Sequence, residues 1–202
     1  MGNEIECRVR FGKEASKGKA LLETNEILFR GDFRLKIPFA SIKSAKAADG
    51  ELHLLTANGL AVFELGSLAE KWREKILHPK TRIEKLGVKP GETVALVGGL
   101  EKQFFDEIKA LGAFAAKGNS LTGVSAIFLE AESRAELSRL AKLANSLKGA
   151  ASLWVVYPKG RKDITENDVL TAGRKGGLKD VKVVGFSATH TALKFVLPLD
   201  KR

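Results

Sequence analysis

A basic loop and a glycine pair are the parts of this sequence best suited to hold a ligand. The loop Pro158-Lys159-Gly160-Arg161-Lys162 follows a buried, strand-like run, and its cations can bind phosphate or carboxylate groups. The glycines Gly98 and Gly99 follow another such run and precede a helical pattern. Strand, glycines and helix come in the order with which α/β proteins bind phosphates. Together the two features predict a site for a small anionic ligand.

The predicted site lies where parallel strands end, because α/β sheets hold their ligands beyond the carboxyl ends of their strands. Polar residues after the basic loop add two carboxylates and a hydroxyl. The predicted ligand-binding residues are Gly98, Gly99, Lys159, Arg161, Asp163, Thr165 and Glu166. Structural alternatives stay open for all of them, namely a tight turn for the glycines and ion pairs or a helix cap for the others.

No catalytic residue and no metal site is predicted. The chain has one cysteine, Cys7, and three scattered histidines, His53, His78 and His190. One cysteine excludes an internal disulfide and a cysteine-based zinc site. Ser187, Thr189 and His190 share one turn, but no Asp or Glu lies near them in the sequence to orient the imidazole. The simpler interpretation of these three residues is a hairpin turn.

The second half of the chain has the pattern of an α/β domain, assigned to residues 80–202. Buried strand patterns alternate with helical ones that begin near residues 101, 133 and 165. This alternation predicts a parallel sheet, and the last two strands are close enough to form an antiparallel hairpin. The predicted strands are 93–97, 113–116, 124–129, 152–156, 181–186 and 192–197.

The first half, residues 1–79, has the pattern of a small β domain. Asp49-Gly50 and Asn58-Gly59 lie between alternating runs and predict hairpin turns. A helix is predicted from Ser67, with Glu70 completing a capping box and Trp72 on the apolar face. The predicted strands are 4–11, 19–24, 26–30, 33–37, 42–48, 51–56 and 60–65.

Seven such strands and one C-terminal helix resemble the pleckstrin-homology-like barrel. The resemblance implies that the helix plugs one end of the barrel, with Trp72 in the core, and that the domain is a protein-interaction module. Lys13, Lys17 and Lys19 flank the first hairpin loop, where some pleckstrin-homology domains hold phosphoinositides. The alternative for these lysines is a solvated loop.

The phrase Leu-Gly-Val-Lys-Pro-Gly-Glu-Thr-Val at residues 86–94 resembles the entry to the first strand of Rossmann-like methyltransferases. That resemblance implies a shortened methyltransferase architecture and, as a cofactor, S-adenosylmethionine or a nucleotide. The sequence departs from the pattern in two places. Only the glycine pair stands where those enzymes carry a longer glycine motif, and residues 113–117 contain no acid to hold a ribose.

The second half also resembles a bacterial family of uncharacterised proteins, the domain of unknown function catalogued as three-zero-five-two. The resemblance implies a Rossmann-like fold and carries no established activity. The matching pieces, in order, are Lys85-Leu86-Gly87, Lys89-Pro90-Gly91, Leu153-Trp154-Val155, Pro158-Lys159, Asp163, Thr165-Glu166, Gly177-Leu178, Asp180-Val181-Lys182-Val183 and Ala192-Leu193-Lys194-Phe195-Val196.

Charge and composition limit the partners. The formal net charge is +10, and most of the excess lies after Lys80. The basic residues near Arg161 and those near Arg174 are expected at opposite ends of the sheet, so nucleic acid is disfavoured as a partner. No apolar run reaches the ~20 residues of a membrane span, and the first residues are charged. We therefore expect a cytoplasmic protein that does not insert into membranes, and the family resemblance implies a bacterial one.

The function favoured by the sequence is a non-catalytic binding or regulatory module without a cofactor, whose partner is an unknown protein or a small anionic ligand. One alternative is a divergent transferase that uses S-adenosylmethionine or a nucleotide at Gly98 and Gly99. A second alternative is sequence-independent binding of nucleic acid, driven by the net charge.

Overall fold

A computed structural model describes residues 3–116 and 121–201. The chain divides into two compact units, Met1–Lys80 and Thr81–Arg202. The boundary predicted from the sequence, after Pro79, lies one residue earlier. None of the helices in the described ranges is both long and apolar enough to cross a membrane.

Seven antiparallel strands form one sheet in the first unit, in the spatial order β4-β3-β2-β1-β7-β6-β5. Each predicted strand is present. The largest difference is in β2, which begins at Glu14 instead of residue 19. The tight turn at Gly12 has a φ of +59° and lets β2 pair with β1 along its whole length, from Phe11 opposite Glu14. The strands are β1 (Asn3–Phe11), β2 (Glu14–Leu22), β3 (Glu26–Arg30), β4 (Arg34–Pro38), β5 (Ile42–Ala48), β6 (Glu51–Thr56) and β7 (Gly59–Glu64).

The first sheet is a curled half-barrel. Within the described residues β4 and β5 are its edge strands and no ladder joins them, so the strands predicted to form a barrel form a half-barrel. Helix α1 (Ala69–Leu77) buries Trp72 and Ile76 in the core of this sheet, as the sequence predicts. The predicted capping box of Ser67 and Glu70 is wrong, because Ser67 lies inside a 3-10 turn and Leu68 takes the N-cap position.

Six strands form a mixed sheet in the second unit, in the order β12-β13-β11-β10-β8-β9. The strands β9, β8, β10 and β11 are mutually parallel, while β13 runs antiparallel to both of its neighbours. The predicted final hairpin is therefore confirmed. The strands are β8 (Thr93–Val97), β9 (Phe114–Ala115), β10 (Ala126–Glu130), β11 (Ser152–Pro158), β12 (Lys179–Gly185) and β13 (His190–Val196).

Helices cover both faces of the second sheet. Side chains alternate along β10, so that Ile127 packs in the core formed with α4 and α5, and Phe128 packs in the core formed with α2 and α3. The helix predicted from residue 133 begins as a 3-10 turn, Arg134–Ser138, before it becomes α4. The helices are α2 (Arg82–Leu86), α3 (Lys102–Ala110), α4 (Arg139–Ala144) and α5 (Glu166–Lys175).

The strands β8, β10, β11 and β12 all end at one edge of this sheet, and β13 begins there. We call this the carboxyl edge. It comprises residues 98–101, 130–132, 158–163 and 186–190.

Candidate functional site

The glycine pair lies directly against the end of β10. Gly98 has a φ of +109°, and a Cβ atom there would lie 2.9 Å from Cβ of Glu130. A Cβ atom on Gly99 would lie 3.1 Å from Oε2 of the same glutamate. Glycine is therefore required at Gly98 for a close approach of two chain segments, and the Glu130 carboxylate lies over Gly99.

Arg161 is engaged by two carboxylates of its own chain. Its Nε donates to Oδ1 of Asp163 at 2.9 Å, and a second N–H of the guanidinium donates to the other oxygen. Its Nη1 donates to Oε2 of Glu132 at 3.0 Å. The hydrogen bonds from Arg161 lower the pKa of Asp163 to about 2. An external anion would have to compete with both carboxylates for this arginine.

Lys159 is engaged by the turn that connects β12 to β13. Its Nζ donates to the carbonyl of Ser187 at 2.6 Å, and its backbone N–H donates to the carbonyl of Thr189 at 2.8 Å. The lysine therefore holds this turn against the end of β11.

Thr165 and Glu166 take part in the start of α5. Thr165 is the N-cap of α5, as predicted. Its hydroxyl accepts from the backbone N–H of Asp168 at 3.3 Å. The Asp168 carboxylate in turn accepts from the backbone N–H of Thr165 at 2.8 Å, which completes a capping box. Oε2 of Glu166 accepts from the Tyr157 hydroxyl at 3.1 Å. Burial, together with this glutamate, raises the pKa of Tyr157.

The structure thus brings five of the seven predicted residues to the carboxyl edge, namely Gly98, Gly99, Lys159, Arg161 and Asp163. The side chains of the other two, Thr165 and Glu166, are engaged at the first turn of α5. Ligand binding by these seven residues stays a prediction, and the contacts above are the structural alternatives that the sequence left open.

His190 has an acidic partner, which comes from a part of the chain distant in the sequence. Its Nε2 lies 2.7 Å from Oε1 of Glu132, which is 58 residues away in the sequence, and its Nδ1 lies 2.9 Å from Oγ1 of Thr189. Ser187 stabilises the turn, since its Oγ accepts from the backbone N–H groups of Thr189 and His190. The spacing of Glu130 and Glu132 at the end of a buried strand is a sequence signal for two acids at this edge, but it does not indicate His190 as their partner.

Arg82 is a second charged centre that sequence reasoning missed. Its side chain is 13% exposed and donates to both oxygens of Glu107, at 2.9 and 2.8 Å, to Glu101, and to the carbonyl of Phe186 at 3.1 Å. The guanidinium also lies over the rings of Phe186 and Phe104, at 4.6 and 5.3 Å from their centroids. Burial opposes its charge, but the hydrogen bonds to the two glutamates leave the pKa of Arg82 raised. Arg82 therefore joins α2, α3 and the carboxyl edge.

Comparisons with known proteins find likenesses only among solved structures. No family model matches the chain, and no curated protein matches it. The N-terminal PH domain of human ARAP2 is 12% identical and covers 50% of this chain and 92% of its own, with a TM-score of 0.33. A SAM-dependent methyltransferase from Aquifex aeolicus is 17% identical, with coverages of 56% and 86% and a TM-score of 0.37. A TehB-like SAM-dependent methyltransferase from Corynebacterium glutamicum is 12% identical, with coverages of 64% and 96% and a TM-score of 0.36.

The strand orders and registers described above come from the structure of this chain and do not depend on these likenesses. The resemblance of the second half to the domain of unknown function three-zero-five-two finds no matching family model and stays a prediction.

Proposed function

We propose that the protein is a non-catalytic binding module, built from a pleckstrin-homology-like unit and a Rossmann-like unit. The first assignment is supported by a curled antiparallel sheet with β1 at its centre and a C-terminal helix in its core. The second is supported by four parallel strands with helices on both faces, followed by an antiparallel hairpin.

The contact between Gly98 and Glu130 carries this proposal. In a nucleotide-binding loop, glycine allows the backbone to approach a phosphate closely. Here the space that a side chain on Gly98 would need is taken by Cβ and the backbone of Glu130. The glycine is accounted for by packing within the chain, which removes the main reason to assign it to a cofactor.

The charges at the carboxyl edge also disfavour a phosphate. The Glu130 carboxylate lies over Gly99 and would repel an anion placed on the glycine pair. The two cations that could compensate, Lys159 and Arg161, already donate to carbonyl and carboxylate groups of the chain. A ligand of this edge must therefore be compatible with the carboxylate of Glu130 as well as with the cations Lys159 and Arg161.

The side chain of His190 is held rather than free. One ring nitrogen contacts Thr189 and the other contacts Glu132. The order hydroxyl, imidazole, carboxylate is also that of a nucleophile, its base and an orienting acid, so catalysis has to be tested directly. In the proposed module these contacts fix the turn and the acid, and no substrate proton is transferred.

A ligand screen with the full chain tests the proposal against a transferase. We expect S-adenosylmethionine, ATP and NAD to leave the melting temperature of the full chain unchanged. A shift of several degrees that is lost in Gly99→Asp and kept in the matched variant Gly112→Asp would contradict the proposal. Circular dichroism confirms that each variant is folded, and Gly99→Asn separates the effect of charge from that of size.

Two further assays cover the remaining functions. Hydrolysis of p-nitrophenyl esters should not exceed the buffer rate, and an excess rate that is lost in both Thr189→Ala and His190→Gln would show catalysis. Retention on DNA at low salt should be absent. Retention that falls steeply with rising salt concentration would favour nucleic-acid binding instead.

A further inference from the structure

Three side chains of types that bind metals lie together at the carboxyl edge and come from two strands that are not neighbours. Glu130 ends β10, Glu132 lies two residues beyond, and His190 begins β13, with β11 between the two strands. One ligand atom from each residue lies within 4.8 Å of the other two. All three are partly buried, and the His190 side chain is 23% exposed. The group is therefore compact and open to solvent.

The chemistry of the group suits a divalent transition metal. Neutral imidazole nitrogen and carboxylate oxygen are zinc ligands, and three protein ligands leave a position open for water or a substrate. The imidazole favours zinc over magnesium, which prefers sites made of oxygen alone.

Two of the three side chains are oriented by hydrogen bonds to atoms other than those that would bind the metal. Nδ1 of His190 is taken by the Thr189 hydroxyl at 2.9 Å, which leaves Nε2 directed at the glutamates. Oε2 of Glu132 is taken by Arg161 at 3.0 Å, which leaves Oε1 directed at His190. Outer hydrogen bonds of this kind orient metal ligands, and the Thr189 hydroxyl can accept from Nδ1 when Nε2 binds an ion.

The position of the Glu130 carboxylate is not explained by the ion pair between His190 and Glu132. His190 and Glu132 satisfy each other at 2.7 Å, whereas the Glu130 carboxylate makes no hydrogen bond or ion pair with any residue of the described ranges. Its backbone is held close to Gly98, so the carboxylate stays beside the pair. A cation would neutralise the two neighbouring carboxylates together.

We propose that Glu130, Glu132 and His190 bind one divalent transition-metal ion, with Zn²⁺ preferred over Mg²⁺. This departs from the sequence-based expectation of no metal site. The inference rests on the proposed function, in which no nucleotide binds at the carboxyl edge. It extends that function by naming a metal ion as the ligand of this edge. In the metal-bound state the neutral imidazole would carry its proton on Nδ1, facing the Thr189 hydroxyl, and the lone pair of Nε2 would bind the ion.

Isothermal titration of the EDTA-treated full chain with ZnCl₂, and separately with MgCl₂, tests the inference. We expect one Zn²⁺ per chain and at least ~10-fold weaker binding in both Glu130→Gln and His190→Gln. Replacement of Zn²⁺ by Co²⁺ should produce visible d–d absorption that the two variants lack. Glu130→Gln is isosteric, His190→Gln keeps a polar side chain of similar length, and circular dichroism confirms that both variants fold.

The matched control is a second histidine–glutamate pair, which belongs to no group of three ligand atoms within 4.8 Å of one another among the described residues. Nε2 of His53 lies 3.1 Å from Oε2 of Glu51 in the first unit, and His53→Gln should leave zinc binding unchanged. No saturable binding by the unaltered chain would overturn the inference, as would binding that survives in Glu130→Gln and His190→Gln or is lost in His53→Gln. The proposed function fails on a different result, saturable binding of S-adenosylmethionine or a nucleotide, so the two failures are distinguishable.

Discussion

The interior of the first unit and the carboxyl edge of the second unit are built in opposite ways. In the first unit, apolar side chains that alternate along neighbouring strands meet Trp72 from α1. At the carboxyl edge, charged side chains from distant parts of the chain satisfy one another, as Glu132 does with Arg161 and His190. The interior is stabilised by the removal of apolar surface from water, and the edge by specific pairing of polar groups. Substitutions should therefore cost most in the interior and change binding and titration at the edge.

The largest loss of stability is expected from Trp72→Ala. The side chain is 1% exposed, so its truncation leaves a cavity and should lower the free energy of unfolding by about 3–5 kcal/mol. Leu77→Ala on the same helix is the control, because Leu77 is 44% exposed and its loss should cost less than ~1 kcal/mol. Urea unfolding followed by circular dichroism measures both variants. Equal losses would show that α1 does not pack as described.

The next largest effect is expected from Arg82→Ala, which leaves Glu107 and Glu101 without their cation. The arginine is 13% exposed, and we expect a loss of about 2–3 kcal/mol in the free energy of unfolding. Arg10→Ala is the matched control, since Arg10 also joins two glutamates but is 44% exposed, and it should cost less than ~1 kcal/mol. Urea unfolding measures both variants. If Arg82→Ala lowers the free energy of unfolding no more than Arg10→Ala does, the largely buried pairing of Arg82 with Glu107 and Glu101 is contradicted.

An effect of comparable size distinguishes two glycines that share a positive φ. Gly98→Ala places a methyl group 2.9 Å from Cβ of Glu130 and should lower stability by about 2–3 kcal/mol. Gly112→Ala, at a φ of +78° with no atom within 4 Å of the added Cβ, should lose only about 1 kcal/mol for backbone strain. Thermal unfolding compares them. Equal effects would mean that the close approach to Glu130 is absent.

The smallest effect is on the titration of Asp163. Arg161 holds the pKa of this carboxyl at about 2, below its ordinary value of 3.8, so the pair stabilises the fold fully above about pH 4 and loses this contribution as the pH falls toward 2. Carboxyl ¹³C NMR should follow this midpoint, which should return toward 3.8 in Arg161→Gln. An unchanged midpoint in that variant would show that the ion pair does not form in solution.

Most of the fold could be predicted because its signals are local. Asp49-Gly50 and Asn58-Gly59 mark hairpin turns within a few residues, and the spacing of Trp72 and Ile76 marks a helix face. How far the first sheet closes could not be predicted, because no local pattern encodes whether its edge strands β4 and β5 pair. The early start of β2 was missed because the run from Glu14 lacks the apolar alternation of a strand.

The carboxyl edge could be predicted only in outline. The rule that ligand sites lie at the ends of parallel strands placed Gly98, Lys159 and Arg161 at one edge. The pairing of Glu132 with His190 could not be foreseen, because 58 residues separate them and only the strand order brings them together. Whether a cation is free or already paired depends on such distant partners.

The most direct test of the central claim is an amide NMR titration of the full chain with S-adenosylmethionine and with ATP. The claim is that the glycine pair packs against Glu130 and does not hold a cofactor. We predict that the backbone N–H signals of Gly98 and Gly99 stay at their positions as either compound is added. Saturable shifts of both signals, abolished in Gly99→Asp, would contradict it.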